Sequence, residues 1–560
     1  MKSTKPNIDA AQAGTGGDTA VSPQSCKAHS FFQRLPVNTA LLLFSAVLYA
    51  GAFPNPFLKE GFPVAAWIAY IGVFWVINRS QLGFTPLFGA FFGALSITLH
   101  NYWLNSFHPL AGIFTGILFA FYFALLFPAL KCASLLLPRT ACIVHCALWV
   151  GFEYLRTCGF TGYSYGITAY SQWTVLPLIK ISALGGIWLV SALVIFPQVF
   201  IAQLISGKFT KDYRIRIAPP PLPAIFAWAL LLFAAVGYGY ASQNGDRDAQ
   251  TRRITLVQPN SDPWKTTIAE FRKELAVLEQ LSNMALSEEP PPELIIWPET
   301  AFVPSFYYHG RYRINAESAN LVREAEAFLA SKTVPFVVGN SEGRRVRKTD
   351  GIEQVVEYNA ALVYDEGRFT GRYYKMKLVP FTEYFPYKKQ FPALHKLLLN
   401  MDTHFWEPGT EPVILNAAGM RFATPICFED TFGSVTREFT LRGAELLVNL
   451  SNDSWSQSLT AQYQHLSIAV FRAVETGRAM VRSTASGQTC AISPYGEILA
   501  MAEPMVETTL TVEVPLQNHS TLYTRIGDII PVIMLVFTAL SLCAGGIMRL
   551  KAQFGKQSGA

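Results

Sequence analysis

Three residue types in this chain could together make a nucleophilic site. Cys427 ends the apolar run Arg421-Phe422-Ala423-Thr424-Pro425-Ile426 and is followed at once by Phe428, Glu429 and Asp430. A thiol becomes a working nucleophile when a base takes its proton and a nearby positive charge steadies the thiolate. Glu299 follows the strand-like Ile295-Ile296-Trp297-Pro298. A carboxylate at a strand end, beside a tryptophan and a donor-less proline, is partly desolvated and suits a general base. Lys375, in Tyr373-Tyr374-Lys375, follows a β-rich stretch and could hold a developing oxyanion. The backbone N–H of Phe428 could be a second oxyanion donor if the chain turns there, and Glu383 and Glu429 are further carboxylates that could orient the lysine or an incoming amine.

Each residue also has a plainer reading. Cys427 could be a small core hydrophobe, Glu299 a helix cap and Lys375 a solvated strand-edge lysine. Lys377 would face the same side of an extended strand as Lys375, so pattern alone does not choose between them. His465, on an expected helix, reads as a packing or capping residue. There is no G-x-S-x-G elbow, P-loop or H-E-x-x-H. The eight cysteines lack CxxC spacing, so no metal, cofactor or disulfide framework is indicated.

The elements that must position these residues divide the 560-residue chain in two. Hydrophobic residues make up 51% and charged residues only 15%, a deficit of charge that points to membrane segments. The net charge of +6 comes without a basic, aromatic-interleaved stripe, so nucleic acid is not an expected partner. Residues 1–34 read as a disordered cytoplasmic tail. Residues 35–243 carry seven apolar runs, near 37–55, 62–78, 84–103, 109–130, 140–157, 179–205 and 222–241. An eighth lies near 528–548, within a closing segment 526–560. Lys and Arg concentrate in the tail and in alternate loops, which puts the N-terminus in the cytoplasm and residues 244–525 outside it. Glu153 and Arg156 end the fifth run; they are either functional groups at membrane depth or an i, i+3 ion pair. The aromatic, glycine-rich Gly159–Gly166 suits the interfacial zone and could line a path for lipid.

Residues 244–525 have ordinary charge density. Short buried strands alternate with amphipathic helices, for instance Ile268–Leu286, Ala316–Ser331 and Ala461–Glu475, so an α/β layered core is expected. Gly343–Gly351 reads as an exposed loop.

Three stretches then carry a resemblance. Trp297-Pro298-Glu299, Tyr374-Lys375-x-x-Leu378-Val379-Pro380-Phe381-x-Glu383 and Ile426-Cys427-Phe428-Glu429 resemble, in order, the Glu-Lys-Cys motifs of the nitrilase or carbon–nitrogen hydrolase superfamily. With the membrane runs, the chain is similar to its apolipoprotein N-acyltransferase family over residues 35–550. Further matches are Ser451-Asn452-Asp453-x-Trp455, His465-Leu466 and Arg472-Ala473-x-Glu475-x-Gly477-Arg478.

The resemblance implies an α-β-β-α sandwich on a polytopic helical membrane domain, in the bacterial inner membrane with the catalytic domain facing the periplasm. It implies Cys427 as nucleophile, Glu299 as base and Lys375 as oxyanion stabiliser, Lys375 standing eight before Glu383 as in the family. The implied reaction is ping-pong. An acyl chain passes from a phospholipid to Cys427 as a thioester, then to the α-amine of the N-terminal diacylglyceryl-cysteine of an apolipoprotein. Trp264 is a candidate substrate-loop tryptophan, with the register of that loop open. The chain departs from the family at Thr382 and Gln457, where the family has glycine, and at Ser456, Ala485 and Tyr163-Ser164-Tyr165. The alternatives are a membrane-tethered amidase acting on small amides and a transporter carrying a degenerate hydrolase domain. Seven spans argue against a mere tether, and a complete Glu-Lys-Cys set argues against a degenerate domain.

Overall fold

The computed structural model describes residues 23–107, 109–208, 218–242, 250–347, 353–400 and 403–557. Most of the expected tail, 1–22, lies outside these, as does 209–217, which holds three of the basic residues used to orient the spans. From Pro23 the chain is already helical, and this helix runs to Ala52.

Among the described residues, six helices are long and apolar enough to cross a membrane: Leu35–Ala52, Leu82–His100, Leu110–Leu136, Ile187–Gly207, Leu222–Ala241 and Ile529–Phe554. At 1.5 Å rise per residue, about 20 residues are needed to span the hydrocarbon core. Two of the eight expected runs fall short of that. Near 62–78, Pro63 opens a 3-10 turn, Pro63–Trp67, and the α-helix proper is only Ile71–Arg79. The run near 140–157 forms Ala141–Leu155. The sixth run breaks at Gly186, which takes φ +71°, and resumes as Ile187–Lys208.

Glu153 and Arg156 do not pair with each other. The Glu153 carboxylate accepts from Thr168 N–H and hydroxyl (2.9 and 2.6 Å) and from Ser191 (2.6 Å), while Arg156 donates to Tyr165 O (2.9 Å). Both tie the end of their helix to the segment that follows it. This is a structural use of buried charge that helix spacing did not anticipate.

The described residues of the α/β part form twelve strands in two sheets. The first has the order β12-β1-β2-β3-β4-β5, with β1 Thr251–Gln258, β2 Leu294–Ile296, β3 Phe336–Arg347, β4 Glu353–Asp365, β5 Arg368–Tyr374 and β12 Thr508–Pro515. The second has the order β11-β10-β9-β8-β7-β6, with β6 Leu415–Ala417, β7 Met420–Ala423, β8 Leu446–Ser451, β9 Ala479–Thr484, β10 Cys490–Ile492 and β11 Ile498–Met501. Strands β1–β3 are parallel, as are β7–β9. Parallel strands buried on both faces read as continuous apolar runs, and β8 and β9 are buried throughout. The stretch from Gly343 expected as a loop is strand to Arg347, paired antiparallel with β4 and exposed from Arg345 on; its remainder, 348–351, lies outside the described residues.

The sheets face each other, and the Ser483 hydroxyl joins them by donating to Val257 O and Ile296 O (3.1 and 3.0 Å). Helices Ile268–Leu286 and Ala316–Ala330 cover the first sheet with a core of their own, which includes Leu278, Leu321 and Trp297. Helices Gly433–Leu441 and Leu459–Thr476 cover the second. The result is the expected α-β-β-α sandwich. Every residue from Thr460 to Thr476 is buried, because the far side of that helix lies against the membrane domain. Trp103 Nε1 donates to Gln464 Oε1 (2.9 Å), and Gln464 Nε2 donates to Pro54 O and His100 O (3.0 Å each).

Candidate active site

The three proposed residues each follow a strand and come out at one end of the sandwich. Glu299 follows β2, Lys375 follows β5 and Cys427 follows the chain leaving β7. Strand β5 is antiparallel to β4, and β4 to β3, so β5 runs in the same direction as β2. Sites in α/β sheets collect at such carboxyl ends, where loops rather than strands can be shaped for chemistry.

Beyond β7 the chain continues beside β8, with a bridge between Ile426 and Leu450. It turns sharply at Cys427, which takes φ +48° and opens the 3-10 helix Cys427–Thr431. A left-handed non-glycine residue is strained, and such strain persists only where the surroundings enforce it. Glu429 is the main enforcer. Its buried carboxylate accepts from Ile426 N–H (2.8 Å), Tyr373 hydroxyl (2.7 Å), Met376 N–H (2.7 Å) and Lys377 N–H (3.0 Å). Burial raises its pKa, and these donors offset part of that rise. Glu429 therefore clamps the cysteine turn to the lysine segment and does not touch Lys375.

Lys375 is fully buried, and its ammonium donates to Glu299 Oε1 (3.1 Å) and Glu383 Oε1 (2.9 Å). Burial opposes its charge, but Glu299 and Glu383 outweigh it and hold the pKa well above the ordinary lysine value. Glu383 orients the lysine and is itself fixed by Val379 N–H (2.9 Å). The chain leaves the extended form at the end of β5, so Lys377 does not share the face of Lys375; it is exposed and lies over the Phe432 ring.

The remaining bonds to Glu299 come from Asn359 Nδ2 to Oε1 (2.7 Å) and Asn452 N–H to Oε2 (2.8 Å). Trp297 does not shield it as expected. Its indole donates to Ser282 (2.9 Å) and packs in the outer core. The polar partners of Glu299, not an aromatic neighbour, set its surroundings. Neither Asn359 nor Asn452 was singled out as a site residue from sequence; Asn452 at least stood in a matched stretch.

Cys427 keeps part of its surface open. Its thiol is pushed well above the ordinary value, first by burial and then by the charge of Glu299, with Lys375 pulling the other way. Burial and Glu299 outweigh the pull of Lys375, in keeping with the expectation that a base takes the thiol proton. Nucleophilic attack here requires proton removal during the step. Phe428 lies in the first turn of the 3-10 helix, where N–H groups have no intrahelical acceptor. Trp264 stands 59% exposed before helix Ile268–Leu286, its N–H donating to Asp262 (2.9 Å), and no hydrogen bond or ring contact joins it to these residues among the described ones.

His465 is buried with its ring nitrogens on two carboxylates, Asp430 Oδ1 (2.7 Å) and Asp453 Oδ1 (3.0 Å). The departures from the family sit around the site. Gln457, where the family has glycine, adopts φ +44°, the conformation glycine takes freely. Ser456 donates to Asp453 O (3.0 Å).

Glu299, Lys375 and Cys427 thus lie at one end of a two-sheet sandwich, and comparison gives the class of that sandwich as carbon–nitrogen hydrolase. A family profile described as Carbon-nitrogen hydrolase matches residues 253–522, and one described as Apolipoprotein N-acyltransferase N-terminal domain matches 45–199. The chain is 39% identical to Apolipoprotein N-acyltransferase 1 of Treponema denticola, over 90% of this chain and 96% of that one. It is 41% identical to Apolipoprotein N-acyltransferase 1 of Treponema pallidum, over 91% and 96%. Among solved structures, it resembles an amidase of the nitrilase superfamily from Nesterenkonia at 18% identity and TM-score 0.35, covering 50% of this chain and 94% of that one. The chain belongs to the apolipoprotein N-acyltransferase family.

Proposed function

We propose that this protein moves an acyl chain from a phospholipid to Cys427, and from there to the α-amine of the N-terminal diacylglyceryl-cysteine of an apolipoprotein. Glu299 accepts the thiol proton as Sγ attacks the ester carbonyl. The oxyanion is held by the Lys375 ammonium and the Phe428 N–H. Collapse breaks the C–O bond, and the departing lysophospholipid takes the proton from Glu299. In the second half the amine attacks the thioester and Glu299 accepts the ammonium proton; the C–S bond then breaks, and Sγ takes that proton back from Glu299 to leave as the thiol. A thioester divides one hard transfer into two easier ones. The observation that carries this reading is the Lys375 ammonium bridging Glu299 and Glu383 beside the Cys427 turn.

A second observation favours lipid over small soluble amides. The loop bearing Glu383 rests on membrane-domain aromatics, with Phe381 5.2 Å from Phe160 and 4.8 Å from Phe114 between ring centroids. Trp264 belongs to the acceptor-binding surface in this reading. The distribution of Lys and Arg over the loops supports an inner-membrane placement with the sandwich on the periplasmic side.

The test is incubation with phospholipid labelled in its acyl chain. Label is expected on Cys427, absent in Cys427→Ala and unable to form in Glu299→Gln, followed by transfer to a diacylated lipopeptide. Label persisting in Cys427→Ala, or turnover of a water-soluble amide without lipid, overturns the proposal and returns the amidase reading.

A further inference from the structure

Behind Cys427 lies a set of four buried charges that the reaction above does not use. Asp430 is three residues beyond the nucleophile in the same 3-10 helix, and Asp453 follows Asn452, whose N–H holds Glu299. His465 bridges them, Nε2 to Asp430 Oδ1 at 2.7 Å and Nδ1 to Asp453 Oδ1 at 3.0 Å. Arg482 on β9 pairs with the other oxygen of Asp430 and lies 3.5 Å from Asp453 Oδ2. All four are buried. Carboxylates 2.7 and 3.0 Å from the two ring nitrogens favour the imidazolium, with Arg482 Nη2 also 3.2 Å from Nδ1. Two carboxylates and two cations then balance, as a buried set must.

The placement is more specific than charge balance requires. One arm of His465 holds the turn of the nucleophile; the other holds the loop whose Asn452 N–H donates to the base. The preceding residue, Gln464, is gripped by Trp103, Pro54 and His100 of the membrane domain. We infer that His465 is a positioning residue of acyl transfer: it sets Cys427 and Glu299 relative to each other, and Gln464 ties that setting to the membrane domain. The inference rests on the proposed acyl transfer for its reaction, but not for its geometry.

The experiment uses the full chain in detergent, with Cys427 alkylation by iodoacetamide and single-turnover acylation from labelled phospholipid as separate readouts. His465→Gln is expected to slow alkylation about 10-fold and acylation about 100-fold, with KM for phospholipid within about twofold, since misplacing reacting groups by about 1 Å costs rate on that scale. Trp103→Phe, which removes one donor to Gln464, is expected to lower the acylation rate several-fold in the same way. If the parent is alkylated but never acylated, the proposed function fails while a slowed alkylation still supports His465. An acylation rate in His465→Gln within about threefold of the parent overturns the inference. Should that variant not fold, His465→Gln with Asp453→Asn restores charge balance. A folded double variant that stays slow supports the inference; one that is fully active, or that also fails to fold, overturns it and leaves a folding element alone.

Discussion

At the scale of single residues, the site is a problem of placing charge without water. Lys375 is the counter-ion of both Glu299 and Glu383. Lys375→Met should therefore do more than remove an oxyanion donor. It leaves two carboxylates unpaired in a buried site, which costs about 3–5 kcal/mol when one partner of a buried pair is lost. Thermal unfolding should show that loss together with abolished acylation; an unchanged melting temperature would mean that Lys375 does not carry the charge of the site. His465 behaves differently with pH. Burial favours its neutral ring, yet Asp430 and Asp453 push its pKa from 6.5 up to about 9 against the opposing Arg482. A pKa raised on folding contributes stability that is full below the unfolded value and is lost as pH rises through the folded one. The melting temperature of the parent should fall between about pH 7 and about pH 9.5, and fall less in His465→Gln. Equal slopes in the two proteins would contradict the imidazolium.

Between elements, distances are set by backbones that nearly touch. Glu299 sits where the chain beyond β2 passes β3, and a methyl group added at Gly339 would lie 2.0 Å from Pro298 O and 2.8 Å from Glu299 Cα. Gly339→Ala must displace the base or the strand. A fall of about 100-fold in the acylation rate is expected with lipid KM little changed, because the reacting atoms lose alignment and the lipid surface does not. Steady-state kinetics at varied lipid decide this; a pure KM effect would place the loss elsewhere. Glu429 works at the same scale, since one carboxylate joins the cysteine turn to the segment after β5. Its sequence position beside Cys427 suggested a chemical role, and its four donors give it a mechanical one.

For the whole molecule, the sandwich is not independent of the helices beside it. Helix Leu459–Thr476 is buried all round, and such a helix requires cover on both sides. Glu475 Oε1 accepts from Ile187 N–H at 2.9 Å, and Arg472 donates to the Tyr170 hydroxyl at 3.3 Å, so the junction is polar as well as apolar. Excised residues 250–516 would expose that face. The fragment should aggregate or elute as large assemblies on size exclusion, whereas soluble sandwiches that bear no membrane domain need no such cover. A monodisperse fragment with reactive Cys427 would show that the junction is dispensable.

By itself the sequence determined the layered class, the order of Glu299, Lys375 and Cys427, and most of the elements between them. Helix Ile268–Leu286 begins and ends where its periodicity says it should. These features are local: a helix face, a strand run and a short motif are each written within a few turns of chain. What only the tertiary structure decided was every relation between distant segments. Runs near 62–78 and 140–157 are apolar enough to read as spans, but their α-helices are only Ile71–Arg79 and Ala141–Leu155. Trp297 stands two residues before Glu299 yet does not share its environment, while Asn359 and Asn452, 60 and 153 positions on, hold its oxygens. The Cys427 thiol is pushed up by burial and Glu299 against the pull of Lys375, a balance that its neighbours in sequence do not carry. Burial and charge pairing are sums over whatever the fold brings close, so no single stretch of sequence carries them.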